Sequence, residues 1–123
     1  MLIIAAVLLV FIGFVHSILG ERYILVRLFK RDNLPKLYGG DWFTKQVLRF
    51  AWHLTTLAWW GFAAILYVVS TQPKGSDSAI LNIIASVFLV SGICSAYFSK
   101  GKHLSWIVFL SVAGFSYYAS TSS

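Results

Sequence analysis

Two short runs of this sequence carry most of the side chains able to do chemistry in an apolar chain. Gly13-Phe-Val-His-Ser-Ile-Leu-Gly-Glu-Arg22 brings His16, Ser17 and Glu21 into the first apolar segment, and Arg49 to Thr56 brings Arg49, His53, Thr55 and Thr56 into the second. At helical spacing, Gly13, His16, Ser17 and Gly20 form one stripe, and Lys45, Arg49, His53, Thr56 and Trp60 form another. An imidazole facing hydrocarbon has no partner for its ring nitrogens, so both histidines are expected to point between helices. There they have three roles open to them: an interhelical hydrogen bond, a ligand or metal site, or a gate or proton relay, titrating near neutral pH, in a small oligomeric channel or proton-coupled transporter.

Depth brings the two runs together. His16 lies about one turn inside the end of the first helix and His53 about one turn inside the membrane part of the second, so the two histidines are predicted to face each other. Glu21 is five residues from His16, about 140° around an ideal helix, and stacks beneath Ser17 instead. A bend at Gly20 is needed to carry it to Arg49 or His53. Cys94 and His103 fall at the same membrane face. His16, His53, Glu21, Cys94 and His103 therefore form a candidate ligand set for zinc, copper, iron or haem. The ligand-binding candidates are His16, Ser17, Glu21, Arg49, His53, Thr56 and Trp60. Trp59 and Trp60, in mid-helix, could wall a quinone or porphyrin beside His53, and as core residues they simply pack.

Each of these residues also has a plainer use. Arg49 and Lys45 suit lipid phosphates, Glu21 suits a salt bridge to Arg49, Cys94 suits packing as a small apolar residue, and His103 suits a wet turn at the interface. No phosphate loop, zinc-finger spacing, nucleophile elbow or His-Glu-x-x-His pair occurs, and no catalytic residues are assigned.

Composition decides where such residues must operate. The 123 residues are 59% hydrophobic and 11% charged, with a mean hydropathy of +0.78. Soluble domains are about 45–50% apolar and about 25% charged, so an integral membrane protein is implied. The formal charge of +6 rests on residues in short loops, which speaks for anionic lipid head groups and against nucleic acid. The single cysteine excludes an intrachain disulfide.

The predicted fold is an all-α bundle of four transmembrane helices, about 2–20, 42–70, 78–98 and 104–119, forming one membrane domain over 1–123. An interfacial cytoplasmic segment over 21–41 joins the first two helices. The first helix lacks the basic leader and small-residue cleavage site of a signal peptide. Pro35 interrupts helix at Leu34, Gly39-Gly40 turns the chain, and Asp41 is placed as a cap for the second helix, with Asp77 or Ser78 capping the third.

Seven of the ten Lys and Arg lie between Arg22 and Arg49, one is Lys74, and two are Lys100 and Lys102. The positive-inside rule then puts the 21–41 and 99–103 connections in the cytoplasm and both termini outside it, in an inner membrane. Serine and glycine on the third and fourth helices predict close helix approach, within the chain, in a homo-oligomer or in a larger membrane complex. In length and span count the chain is similar to the small multidrug-resistance transporters. That family places a glutamate well inside its first helix, whereas residues 2–15 here carry no charge, so no family residue is carried over.

Overall fold

In the computed structural model, which describes residues 2–72 and 74–122, the elements are helical and no strand occurs among the described residues. Pro73, part of the predicted polar turn 71–77, lies outside them. Helix α1 runs Leu2–Leu28, α2 Trp42–Thr71, α3 Asp77–Ser99 and α4 Ser105–Ser122. Three of the four, α1, α2 and α3, are long and apolar enough to cross a membrane. The predicted fourth span forms as an 18-residue helix, but it does not reach that apolarity, because serines, two tyrosines and a threonine dilute its Ile, Val, Leu and Phe.

The helices pack in chain order. α1 rests on α2, α2 on α3 and α3 on α4, and among the described residues α1 meets neither α3 nor α4. The bundle is thus an open row, each helix touching only its neighbours in the chain. The physical reason lies in the seams: α1 and α4 each offer one stripe of small or polar residues. On the rest of α1 lie side chains such as Val7, Phe11 and Ile18, which are exposed and compatible with lipid.

The α1–α2 seam is built on glycine. A Cβ at Gly13 would collide with the Trp60 ring and Thr56, and one at Gly20 with the Trp52 ring. These absent side chains are what let both indoles lie against the α1 backbone. From Gly20 to Leu25 the helix widens to π geometry, with Val26 N–H bonded to Glu21 C=O. A π turn closes on the fifth residue, so Gly20 and Leu25 are both buried, although an α-helix would turn them about 140° apart. α1 thus continues to Leu28, past the predicted span over 2–20 and into the segment predicted as interfacial, and the connection to α2 contracts to 29–41.

That connection is fixed locally. Tyr38 (φ 56°) and Gly39 (φ 87°) form a tight reversal closed by Leu37 N–H to Gly40 C=O at 2.8 Å, and Thr44 Oγ1 donates to Pro35 C=O at 2.7 Å. Asp41 precedes α2 without capping it through its side chain and pairs instead with Lys45, one turn on, at 3.0 Å. Ser76 precedes α3 in the same uncapped way, so neither Asp77 nor Ser78 serves as the expected cap.

α3 and α4 pack through Gly92, Ser95 and Ser99, with Gly92 against Leu110, Ser95 Oγ 2.6 Å from Ser105 Oγ and Phe88 5.6 Å from Phe109. Left-handed Lys100 (φ 53°) ends α3, and Gly101 N–H returns to Ala96 C=O at 2.8 Å. At the far end Ser120 Oγ donates to Asn82 Oδ1 at 2.8 Å.

Candidate functional site

Around the π segment, one carboxylate gathers two partners. Glu21 Oε1 lies 2.7 Å from Arg49 Nη2, and its Oε2 lies 2.8 Å from His53 Nε2. The other ring nitrogen of His53, Nδ1, is 2.9 Å from Ser17 Oγ, which in turn is 2.6 Å from Thr56 Oγ1. Thr56 also donates to Gly13 C=O at 3.3 Å. The result is a continuous hydrogen-bonded chain, Arg49–Glu21–His53–Ser17–Thr56–Gly13, running along the α1–α2 seam.

The geometry follows from helical spacing. Ser17 and Glu21 are four residues apart and lie one above the other on α1, and His53 spans the gap between them. Arg49 lies one turn from His53 on α2 and meets the same carboxylate. Glu21 therefore reaches Arg49 and His53 beside Ser17, while His16, also in the α1–α2 seam, meets Trp52, the ring that Gly20 admits.

His16 does not pair with His53. Its ring stacks on Trp52 at 4.6 Å with 4° between the planes and tilts against Trp59 at 4.9 Å. His16 Nε2 is 3.2 Å from Trp52 C=O, and the Trp52 indole N–H donates to His16 C=O at 2.9 Å. The expected flat wall beside His53 is thus beside His16. Trp60 is on the other side of the polar chain from Glu21, donating to Val10 C=O at 3.2 Å and packing 4.8 Å from Phe14.

His103 belongs to the α3–α4 turn. Its Nδ1 is 2.7 Å from Ser105 Oγ, its N–H donates to Ser99 Oγ at 3.1 Å, and Phe43 and Phe50 lie beside its ring. Among the described residues no three His, Cys, Asp or Glu side chains come together as a metal would require. The candidate metal set is thus divided: Glu21 meets His53, His16 rests on its tryptophans, His103 is at its turn, and Cys94 lines a groove shared with Glu21 and His53.

Cys94 stands on the wall of a groove that the polar cluster also lines. This groove, of about 460 Å³, runs between α2 and α3, lined by Glu21, Arg49 and His53 and then by apolar side chains including Phe50, Leu54, Leu57 and Phe98. The three polar side chains among its lining keep 33%, 31% and 37% of their surface exposed. Arg49 is held on its other flank by Phe29, whose ring lies 4.9 Å from the guanidinium carbon. Arg49 Nε is buried and has no hydrogen-bond partner.

Phe29, Trp52 and the apolar groove residues were not assigned to the site from sequence. Gly20, directly before Glu21, is the signal for Trp52, since a glycine in a helix seam marks where a large neighbour sits close. Basic side chains of the α3–α4 connection and of the end of α1 lie over aromatic rings: Lys100 over Trp42 at 4.6 Å, Lys102 over Tyr38 at 4.7 Å, and Arg22 and Arg27 over Tyr23 at 5.6 and 5.7 Å. Compared with protein-family models, curated proteins and solved structures, the chain matches none.

Proposed function

We propose that this small membrane protein binds a small membrane-soluble molecule in the groove between α2 and α3, with Glu21, Arg49 and His53 as the polar side chains of the site. The observation that carries this reading is the lining of the groove, which is apolar for most of its residues and includes Glu21, Arg49 and His53. Ligand sites have this character, and their volumes run from about 300 to about 1,000 Å³. The role is binding and not catalysis. In this reading the chain crosses an inner membrane four times with both termini outside the cytoplasm, and its basic, aromatic-backed connections rest on anionic head groups of the inner leaflet.

Metal binding draws less support, because the histidines sit apart. Proton-coupled transport has no continuation along α1: beyond Gly13 towards its start, residues 2–12 carry no polar side chain. A second reading, assembly into an oligomer or a larger membrane complex, is favoured by the open row, in which α1 has a single helical neighbour.

Native mass spectrometry of protein released from its own membrane in mild detergent tests the first reading. A bound small molecule is expected on the wild type and lost in Leu54→Trp, which fills the groove and leaves Glu21, Arg49 and His53 unchanged. Identical spectra for the two proteins would overturn it.

A further inference from the structure

We propose that Arg22, Tyr23 and Arg27 form a binding site for a phosphomonoester dianion, carried as the head group of a lipid in the leaflet that meets this end of α1. The inference rests on the reading that basic side chains here meet anionic head groups, and it is independent of the groove. Helix geometry creates the site. Five residues separate Arg22 from Arg27, which on a regular α-helix would turn them about 140° apart. The π segment Gly20–Leu25 takes up that difference, and both guanidinium carbons lie over the Tyr23 ring, 5.6 and 5.7 Å from its centre.

All three side chains are exposed, and neither arginine has a carboxylate partner among the described residues. Glu21, next in the chain, is engaged by Arg49 and His53 across the seam. Two guanidiniums gathered on one ring repel each other, and an anion between them removes that cost. Depth decides which anion is at hand. The 27 residues of α1 rise about 40 Å against a hydrocarbon core of about 30 Å, and residues 2–20 alone supply about 28 Å of it. Arg22 to Arg27 therefore emerge at the level of lipid phosphates. A phosphodiester head offers one negative charge, whereas a phosphomonoester approaches two once its second proton leaves at about pH 6. Two cations on one ring match the second kind, whose terminal oxygens can pair with both guanidiniums.

The test titrates the full-length protein, in detergent, with dioctanoyl lipids and counts bound lipid by native mass spectrometry. Phosphatidic acid is the monoester, phosphatidylglycerol the diester and phosphatidylcholine the neutral reference. Phosphatidic acid is expected to bind at least about tenfold more tightly than phosphatidylglycerol, an advantage worth about 1.4 kcal/mol. The advantage should grow as pH rises through about 6, because arginine keeps its charge and only the monoester titrates. Arg22→Gln and Arg27→Gln should each lower it to about threefold or less, and the double variant should abolish it. Lys36→Gln, which removes a charge from the connection outside the site, should leave it unchanged.

Equal binding of the two anionic lipids, an advantage retained by the double variant, or its loss in Lys36→Gln overturns the site. Glycerol phosphate that displaces phosphatidic acid at equal concentration overturns the lipid as carrier and leaves a phosphomonoester site. Equal binding of all three lipids removes the head-group reading as well.

Discussion

Glu21 Oε2 and His53 Nε2 meet at 2.8 Å across the α1–α2 seam, while the second oxygen of the same carboxylate holds Arg49 at 2.7 Å. One side chain of α1 thus bridges two successive turns of α2. Glu21→Gln and His53→Gln should each destabilise the protein, and the double variant should lose less than their sum. The expected coupling is about 0.5–2 kcal/mol, the range of hydrogen bonds between membrane helices. Equilibrium unfolding of the four proteins in mixed micelles checks it, and strict additivity would contradict the contact.

The two histidines should separate by function. His16 is held by stacking and by backbone contacts to Trp52, away from the groove, so His16→Ala should lower stability by about 1 kcal/mol and leave ligand occupancy unchanged. His53→Ala, which removes a side chain of the groove, should reduce occupancy. Thermal unfolding and native mass spectrometry on the same samples read both effects, and a loss of ligand in His16→Ala would relocate the site.

Glycines provide a paired test of the seam. Gly20→Ala drives a methyl into the Trp52 ring and should cost about 1–3 kcal/mol, with partial recovery when Trp52→Phe is added. Gly114→Ala, where nothing lies within 4 Å of the new methyl, should be neutral or stabilising by up to about 1 kcal/mol through helix propensity. Unfolding midpoints of the variants compare the sites directly, and equal effects at Gly20 and Gly114 would argue against the close seat of Trp52.

Topology is open to a cysteine scan in a Cys94→Ala background. Lys36→Cys and Lys102→Cys should react with an impermeant maleimide from the cytoplasmic side, and Lys74→Cys from the opposite side. Labelling of Lys36→Cys and Lys102→Cys from different sides would mean that α2 and α3 do not both cross, because the two connections would then no longer share a face.

The basic connections should matter little to stability and more to lipid preference. Lys45 pairs with Asp41 one turn away in a partly exposed position, so Lys45→Ala should cost no more than about 0.5 kcal/mol. Removing Lys100 and Lys102 together should weaken the preference for anionic over zwitterionic lipid by about 1 kcal/mol per charge, read from the lipids retained in native mass spectra. An unchanged lipid preference would place these lysines away from the head groups.

Composition and periodicity alone settled that the chain is helical and suited to a membrane, because long apolar runs leave the backbone no partner but itself in lipid. They also located α2 within a residue at its ends, since Gly39-Gly40 and the polar run after Ser70 are local signals. They singled out Ser17, Glu21, Arg49 and His53, because a polar group in an apolar stretch needs a partner. Tertiary structure alone decided which partner. His16 and His53 match in depth, but facing depends on rotation about each helix, and rotation was fixed by where Gly13 and Gly20 admit Trp60 and Trp52. The π segment after Gly20 was not legible, because Tyr23, Ile24, Leu25 and Val26 are all apolar, so the change of phase made by an extra residue shows no contrast. The groove was hidden for a related reason: it is a space bounded by α2 and α3, and Phe50, Leu54 and Phe98 become its wall only once those helices are set side by side.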